Sequence, residues 1–213
     1  MMLVEKTVKD FVAAVASKEP APGGGSVSAL ASSLGAALTS MVGNLTIGRK
    51  AYNALEEGQR AQLDTNFEKV VKHVERLNEL IDEDTTAFND YMDAMKLPKE
   101  TEEEKATRKV AMEEALKKAM EVPLDAAKVS LEVLKLQKVF GEYGNPNAIT
   151  DVGVGALLAC AGLEGALFNV LINLGGISDA AYVAEIRKEC DALLKEGKEL
   201  KEETLKIVYS KLA

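Results

Sequence analysis

Helical periodicity runs through almost the whole 213-residue chain and restricts its fold more than any other feature. Apolar residues recur at steps of three and four, and no segment shows the sustained alternation that is typical of a half-buried strand. In the segment Thr7–Ser17, for example, Val8, Phe11, Val12 and Val15 fall on one face. The pattern predicts an all-α protein.

Glycine- and proline-rich segments divide this pattern into separate helices. EPAPGGGS and GEYGNPN cannot continue a helix, and Pro123 is expected to start a new one because proline lacks the N–H of the helical ladder. Ser26 and Thr150 are the expected N-caps of the helices that follow the two breaks. We expect helices over 7–17, 26–44, 56–95, 101–121, 122–140 and 150–174, and from 178 to near the C-terminus.

Neither an internal repeat nor a low-complexity linker interrupts these segments. Residues 1–213 are therefore expected to form one domain, a single-domain bundle of long antiparallel helices. Small residues recur every four positions in the second helix, as at Gly35, Thr39 and Gly43, so this helix is predicted to be central.

Charge and cysteine content narrow the classes of function. The formal net charge of −8 argues against non-specific binding to nucleic acid, which requires a basic face. Two isolated cysteines, Cys160 and Cys190, fit a reducing cytoplasm, and the N-terminus shows no signal-peptide pattern. The apolar stretches 27–47 and 152–174 carry serine, asparagine and glutamate side chains, which favours helices buried in protein over membrane spans.

The stretch Leu80–Tyr91, LIDEDTTAFNDY, contains four acids, of which one falls in line with an apolar stripe. Steps of three and four connect the stripe, except for one gap between Ile81 and Phe88. A residue at position 84 fills that gap, so Asp84 is predicted to be buried while its acidic neighbours face solvent. The stripe consists of Phe67, Val70, Val74, Leu77, Ile81, Phe88, Tyr91 and Met95.

A buried carboxylate at Asp84 has two interpretations. Desolvation raises the pKa of such a group and prepares it for general acid–base catalysis near neutral pH. Alternatively, Asp84 pairs with a lysine or arginine from another helix, or bonds a nearby hydroxyl such as that of Thr85, and has a structural role.

Other segments present polar groups that fit either a ligand or a helix contact. Gly23, Gly24 and Gly25 precede a helix and either expose backbone N–H groups to an anionic or polar ligand or make a tight helix–helix connection. Asn169 and Asn173 lie one turn apart on an apolar helix, where they either lock a helix contact or bind a ligand.

Charged residues near helix ends also have two interpretations. Asp151, in GNPNAITD after Asn145, either complements the helix dipole or contacts a ligand. Basic side chains near helix ends are either solvated or able to bind a substrate carboxylate; they are Arg49, Lys50, Lys99, Lys105 and Arg108. Glu164 is unexpected within an apolar helix, where it either faces a subunit interface or pairs with a base.

The histidine content excludes several classes of catalysis. The chain contains one histidine, His73, so it cannot build the His and Cys clusters of zinc hydrolases. A Ser–His–Asp triad centred on the mid-helix His73 is not expected either. Any hydrolysis by this chain is therefore predicted to be metal-free and driven by a carboxylate.

Several strings, in order along the chain, resemble one known family. They are APGGGSVSALASSLGAALTSMV, IDEDTTAF, LPKETEEEKATR, VPLDAA, GNPNAITD and FNVLINL. Together they are similar to the cyclodeaminase domain of formiminotransferase-cyclodeaminase and to its stand-alone relatives, the methenyltetrahydrofolate cyclohydrolases.

The resemblance implies an all-helical homodimer that binds a folate in a cleft near the subunit interface. It implies that Asp84, the acid of the D-x-x-A-F motif, is the catalytic residue, which agrees with the stripe analysis. The positions that match its other motif residues are Gly23, Gly24, Gly25, Ser26, Arg108, Asn145 and Asp151. To these we add Lys105 and Asn169 as expected substrate contacts from the residue analysis.

The implied reaction is hydrolysis of 5,10-methenyltetrahydrofolate to 10-formyltetrahydrofolate without a cofactor. A cyclodeaminase that releases ammonia from formiminotetrahydrofolate is the alternative within the family. The absence of a formiminotransferase domain from the chain favours the cyclohydrolase. A helical scaffold or regulatory dimer that has lost the chemistry is the alternative from another class.

Overall fold

A computed structural model describes residues 2–213, and within that range the chain is all-α. The helices are α1 (Val8–Val15), α2 (Gly24–Asn44), α3 (Lys50–Asn53), α4 (Glu57–Met95), α5 (Glu102–Tyr143), α6 (Ile149–Leu174) and α7 (Ala180–Leu212). Short 3₁₀ turns cover Leu3–Glu5 and Pro146–Ala148. The predicted fold class is confirmed, while Met1 lies outside the described residues.

Helix α2 lies at the centre of the bundle, as predicted from its small residues. It runs antiparallel to α4 and α6 and parallel to α5, to which it is joined by buried hydrogen bonds such as Gln137 Nε2 to Thr39 Oγ1 at 3.0 Å. At Gly35 an added Cβ would lie 2.7 Å from the carbonyl oxygen of Gly155 on α6. Glycine therefore lets the two backbones approach closely where the middle of α2 crosses the first half of α6.

The prediction that Pro123 starts a new helix is wrong, because α5 continues through it from Glu102 to Tyr143. Proline at position 123 cannot donate to the carbonyl of Ala119, four residues earlier. The side chain of Asn173 replaces that donor, with Nδ2 lying 2.8 Å from Ala119 O. The uninterrupted helix therefore depends on a contact from α6.

Two predicted N-caps are also wrong. Helix α2 begins at Gly24 with Gly23 at the N-cap position, so Ser26 lies inside the first turn with its side chain free for other bonds. Helix α6 begins at Ile149, which places Thr150 inside it. Helices α1 and α5 are capped by Thr7 and Thr101, whose side chains accept backbone hydrogen bonds from the first turn.

Helices α2 and α6 combine a buried side with an apolar outer surface. Both are long and apolar enough to cross a membrane, and 56% and 50% of their most apolar 18-residue segments are buried inside the bundle. Their exposed apolar side chains are Val27, Leu34 and Met41 on α2 with Leu45 at its C-cap, and Val154, Leu157, Phe168 and Ile172 on α6. We call this set the α2–α6 apolar face.

Candidate active site

Asp84 lies on α4 against the first turn of α2. Its Oδ2 accepts two hydrogen bonds from Ser26, one from the backbone N–H at 2.8 Å and one from the hydroxyl at 3.0 Å. Ser26 Oγ is also 2.9 Å from the carbonyl oxygen of Ile81 and 3.2 Å from Thr85 Oγ1. The antiparallel packing of α2 on α4 thus brings a glycine-rich helix start onto the predicted catalytic acid.

A cavity of about 260 Å³ opens beside this carboxylate. Its lining consists of Pro20, Ala21, Gly23, Gly24, Gly25, Asp84, Phe88, Tyr91, Ala119, Asn169, Ile172 and Asn173. Asp84 is the one charged side chain in that lining. The half-buried acid therefore faces a partly enclosed, largely apolar space and can meet a cationic ligand group.

Burial raises the pKa of Asp84 above its ordinary value, while the two hydrogen bonds from Ser26 oppose that rise. Among the described residues, neither a lysine nor an arginine forms a salt bridge with this carboxylate. The alternative that Asp84 forms an ion pair with a lysine or arginine of another helix is therefore wrong for the described residues. The alternative of a hydrogen bond from a hydroxyl is confirmed, but the donor is Ser26, and Thr85 contacts the Ser26 hydroxyl instead of Asp84.

Side chains of α6 and α4 leave little room for a side chain at Gly24 and none at Gly25. A Cβ added at Gly25 would lie 2.0 Å from Asp84 Oδ1, and one added at Gly24 would lie 3.2 Å from Asn169 Nδ2. Glycine at position 25 is thus required for the carboxylate to approach α2. Gly23, Gly24 and Gly25 all line the cavity, where the sequence predicted ligand contacts.

Two amides from α6 complete the polar part of the cavity. Asn169 Nδ2 donates to Gly165 O at 2.9 Å, and Asn173 Nδ2 donates to Ala119 O at 2.8 Å. Each side-chain carbonyl oxygen remains available to accept a hydrogen bond from a ligand. Asn173 therefore secures a contact between α6 and α5, whereas Asn169 bonds a carbonyl of its own helix; ligand binding by the two side-chain oxygens stays a prediction.

Asn145 and Asp151 lie at the opposite end of the bundle. The backbone N–H of Asn145 donates to Thr46 Oγ1 at 2.8 Å, just beyond the end of α2, and Asp151 lies in the first turn of α6. From Ser26 to the end of α2 the helical rise amounts to about 27 Å. Within one subunit, these two predicted substrate contacts are not brought to the Asp84 cavity.

Lys105 and Arg108 lie near the turn between α4 and α5, outside the cavity lining. Lys105 pairs with Glu102 at 2.7 Å, and Arg108 donates from Nε and Nη2 to the carbonyl oxygen of Met95 at 3.1 and 3.0 Å. Met95 follows Asp84 by about three turns of α4, roughly 16 Å of helical rise. The two cations therefore sit beyond the cavity, toward the C-terminal end of α4.

Several cavity residues were not singled out by the sequence as site residues. Phe88 and Tyr91 appeared only as members of the apolar stripe, and Ile172 only as part of an apolar helix. The one sequence signal for this wall of the cavity was Pro123. A proline leaves the carbonyl four residues earlier without a helical donor, and that carbonyl belongs to Ala119, which lines the cavity.

The remaining candidates do not form a second catalytic cluster. Burial lowers the pKa of His73, which lies on α4 about three turns before Asp84. Glu164 pairs with Lys198 of α7 at 2.9 Å, so the sequence alternative of a basic partner is confirmed. No group of three or more His, Cys, Asp or Glu residues with metal-site spacing occurs within residues 2–213.

Comparison with known proteins gives a consistent set of relatives. Residues 7–192 match the formiminotransferase-cyclodeaminase family. A methenyltetrahydrofolate cyclohydrolase from Methylorubrum extorquens is 42% identical over 211 residues, with 99% of this chain and 100% of that protein covered. A formimidoyltransferase-cyclodeaminase from Gallus gallus is 40% identical over 201 residues, which are 92% of this chain and 36% of that protein.

A solved structure also shares the fold. The crystal structure of formiminotetrahydrofolate cyclodeaminase from Thermotoga maritima has a TM-score of 0.85 and 27% sequence identity, and the match covers 98% of both chains. This chain thus spans about a third of the two-activity relatives and nearly all of the single-activity ones.

Proposed function

This chain belongs to the formiminotransferase-cyclodeaminase family, and from that premise we propose that it hydrolyses 5,10-methenyltetrahydrofolate to 10-formyltetrahydrofolate. It is an enzyme of folate one-carbon metabolism. The observation that carries the specific reaction is the single carboxylate, Asp84, in a cavity whose other lining residues are uncharged. The methenyl substrate carries its positive charge on the amidinium carbon that reacts, so the charges of the site and substrate are complementary.

The reaction begins with attack of water on the amidinium carbon, between N5 and N10. Asp84 in its ionised form accepts a proton from that water as the C–O bond forms. The cation is neutralised in this step, and the developing carbinolamine lies beside a carboxylic acid that has gained the proton.

Ring opening uses the same side chain in the opposite sense. Asp84 returns its proton to N5 as the C–N5 bond breaks, and the formyl group remains on N10. The excess proton from water leaves with solvent, so the cationic substrate and water give neutral product and one proton. A raised pKa suits this double role, because the group must both accept and release a proton near neutral pH.

The cavity holds only the reacting portion of a folate. At about 260 Å³ it lies below the usual range for sites that enclose a whole drug-sized ligand. We place the fused ring system beside Asp84 and Asn169 and the glutamate tail outside. Arg108, held at Met95, and Lys105 lie beyond the cavity and supply positive charge for the tail carboxylates.

A second reaction is favoured by a specific observation. The related Thermotoga maritima chain is matched over 98% of its length and is described as a formiminotetrahydrofolate cyclodeaminase. A chain of about this length can therefore carry the cyclodeaminase name, which weakens the sequence argument for the cyclohydrolase. In the cyclodeaminase reaction, attack of N10 on the formimino carbon expels ammonia, and Asp84 would protonate the departing nitrogen.

We further propose that the enzyme acts as a homodimer through the α2–α6 apolar face. Phe168 and Ile172 on this face are 63% and 76% exposed, which is unusual for large apolar side chains. Ile172 also lines the Asp84 cavity, so a second copy seated here would border the substrate. Asn145 and Asp151, remote from the cavity within one subunit, remain predicted substrate contacts that a partner copy would have to supply.

No cofactor is part of the proposed reaction, because the substrate brings its own electrophilic cation and Asp84 suffices for both proton transfers. We propose a cytoplasmic location, in keeping with the two free, buried thiols of Cys160 and Cys190.

The deciding experiment is a parallel assay of the purified protein with methenyl and formimino substrates. We expect the methenyl absorbance to decay faster than in buffer, and Asp84→Asn to lower that rate by about 10² to 10⁴-fold. Asp90→Asn is the matched control, because Asp90 lies on the same helix but is exposed and outside the cavity. Faster turnover of the formimino substrate would favour the cyclodeaminase, and an unchanged rate in Asp84→Asn would refute the role of Asp84.

A further inference from the structure

The geometry points to Ser26 as a positioning residue that holds Asp84 by Oδ2 and leaves Oδ1 as the oxygen that exchanges protons with the substrate. This inference rests on the proposed function and assigns separate roles to the two carboxylate oxygens. It also differs from the expectation that Ser26 contacts the substrate directly.

Ser26 lies beneath the carboxylate and not on the cavity surface. Its side chain is 0% exposed, and the residue is absent from the cavity lining although its neighbour Gly25 is part of it. Its hydroxyl is enclosed by Ile81 O, Asp84 Oδ2 and Thr85 Oγ1, at 2.9, 3.0 and 3.2 Å. A substrate in the cavity therefore meets Asp84 before it can reach Ser26.

The two carboxylate oxygens of Asp84 have different surroundings. Oδ2 accepts both the N–H and the O–H of Ser26. Oδ1 accepts no hydrogen bond from residues 2–213 and is not among the fully buried atoms that lack a partner, so it retains access to the cavity. Two donors on Oδ2 fix the carboxylate plane and direct the unoccupied oxygen toward the position of the substrate.

The hydroxyl of Ser26 can respond to the protonation state of Asp84. It has a single proton, and both Ile81 O and Asp84 Oδ2 lie within reach. An ionised carboxylate is the stronger acceptor, so the hydroxyl donates to Oδ2 while Asp84 is a base. Once Oδ1 has taken a proton, donation to Ile81 O becomes competitive, and the hydroxyl turns back to Oδ2 as the proton leaves, which stabilises the carboxylate that forms.

The titration of Asp84 is little influenced by other charges. The lining contributed by α2, α5 and α6 contains no ionisable side chain, and Tyr91 on α4 is the one other titratable residue in the cavity wall. Of its acidic neighbours, Asp82 accepts backbone N–H groups of the N-terminal turn and Glu83 pairs with Arg76. Burial raises the pKa of Asp84, and the bonds from Ser26 are the opposing influence.

The test compares Ser26→Ala with the wild-type enzyme across pH, using the methenyl substrate. The substitution removes the hydroxyl and keeps the backbone donor, so the pKa of Asp84 should rise. Because the base form is the active one, the acid limb of kcat/KM should move upward by roughly one pH unit, which is about a tenfold loss below the limb. KM at high pH should stay within about twofold.

Ser33→Ala is the matched control. Ser33 is also a buried hydroxyl of α2, but it donates to Asn78 Oδ1 at 2.7 Å and lies outside the cavity. Its pH profile should coincide with that of the wild type. Ser26→Thr retains the hydroxyl and should restore the acid limb if the added methyl group is accommodated.

The outcomes separate this inference from the proposed function. A large rise in KM with an unmoved acid limb would make Ser26 a substrate contact and overturn the inference, while Asp84→Asn would still test the reaction itself. If Ser26→Ala does not fold, an NMR titration of the wild type decides. The Ser26 amide proton must follow the same pKa as the Asp84 carboxyl carbon, and an amide that does not titrate with Asp84 would refute the contact.

Discussion

The side-chain amide of Asn173 donates to the carbonyl of Ala119, the carbonyl that Pro123 leaves without its helical partner. Proline in a helix interior normally kinks or breaks the helix. Here a side chain from α6 supplies the missing donor, and the repaired turn forms one wall of the cavity beside Asp84. The wall of the site and the continuity of α5 therefore depend on the same hydrogen bond.

Replacing Asn173 with alanine should destabilise the protein by about 1–3 kcal/mol, because the Ala119 carbonyl would be left unpaired in a half-buried position. Urea unfolding measures this change. In a Pro123→Ala background the restored N–H at position 123 satisfies that carbonyl, so the same substitution should cost about 1 kcal/mol less. Equal costs in the two backgrounds would contradict the compensation between Asn173 and Pro123.

Gly25→Ala should abolish most of the activity. The new Cβ would lie 2.0 Å from Asp84 Oδ1, so the carboxylate must move away from its position in the cavity. We expect at least a 10²-fold loss of kcat/KM in the methenyl assay. Gly58→Ala is the control on helix α4, where an added Cβ meets nothing within 4 Å and alanine should add roughly 0.5–1 kcal/mol of stability. Full activity in Gly25→Ala would show that the close approach of α2 to Asp84 is not required.

Asp84 should make the folded state less stable as the pH rises. Its pKa is raised in the folded protein, chiefly by burial, so the folded state binds the proton more tightly than the unfolded state does. Between the unfolded and folded pKa values the free energy of unfolding therefore falls with increasing pH. Asp84→Asn removes this penalty and should stabilise the protein more at pH 7 than at pH values below 3.8, the ordinary pKa. Denaturant unfolding of the wild type and the variant at the two pH values measures the difference. A larger stabilisation by Asp84→Asn at low pH than at pH 7 would contradict a raised pKa of Asp84 in the folded state.

The sequence predicted most of the helices and the place of Asp84 in the apolar stripe because both depend on local periodicity. The stripe that contains Ile81 and Phe88 has the same spacing whether the helix is isolated or packed, so the gap at Asp84 was visible without coordinates. The cap at Thr7 was recognisable for the same reason, since its bond to Asp10 spans a single turn.

Features that depend on distant partners could not be predicted in this way. Ser26 looks like an N-cap, but packing of α2 on α4 gives its hydroxyl an acceptor at Asp84, fifty-eight residues away. Pro123 looks like a helix start until Asn173 supplies the missing donor. In both cases a tertiary hydrogen bond replaces the local one that propensity assumes.

The α2–α6 apolar face leads to a prediction about assembly. Leu34 is 50% exposed near the middle of that face, so Leu34→Asp should place a charge within the proposed contact between two copies. Light scattering after size exclusion should show a dimer for the wild type and a shift toward monomer for this variant. Val110→Asp is the control, because Val110 is similarly exposed at 58% but belongs to α5 and not to α2 or α6.

The same variants connect assembly with catalysis. Ile172 belongs to the apolar face and to the cavity lining, so loss of the partner copy should expose one side of the cavity to water. We expect Leu34→Asp to lose methenyl activity in parallel with its loss of dimer, and to recover activity at protein concentrations that restore association. A fully active monomer would show that the cavity of one subunit is sufficient, and a dimeric Leu34→Asp would place the interface on another surface.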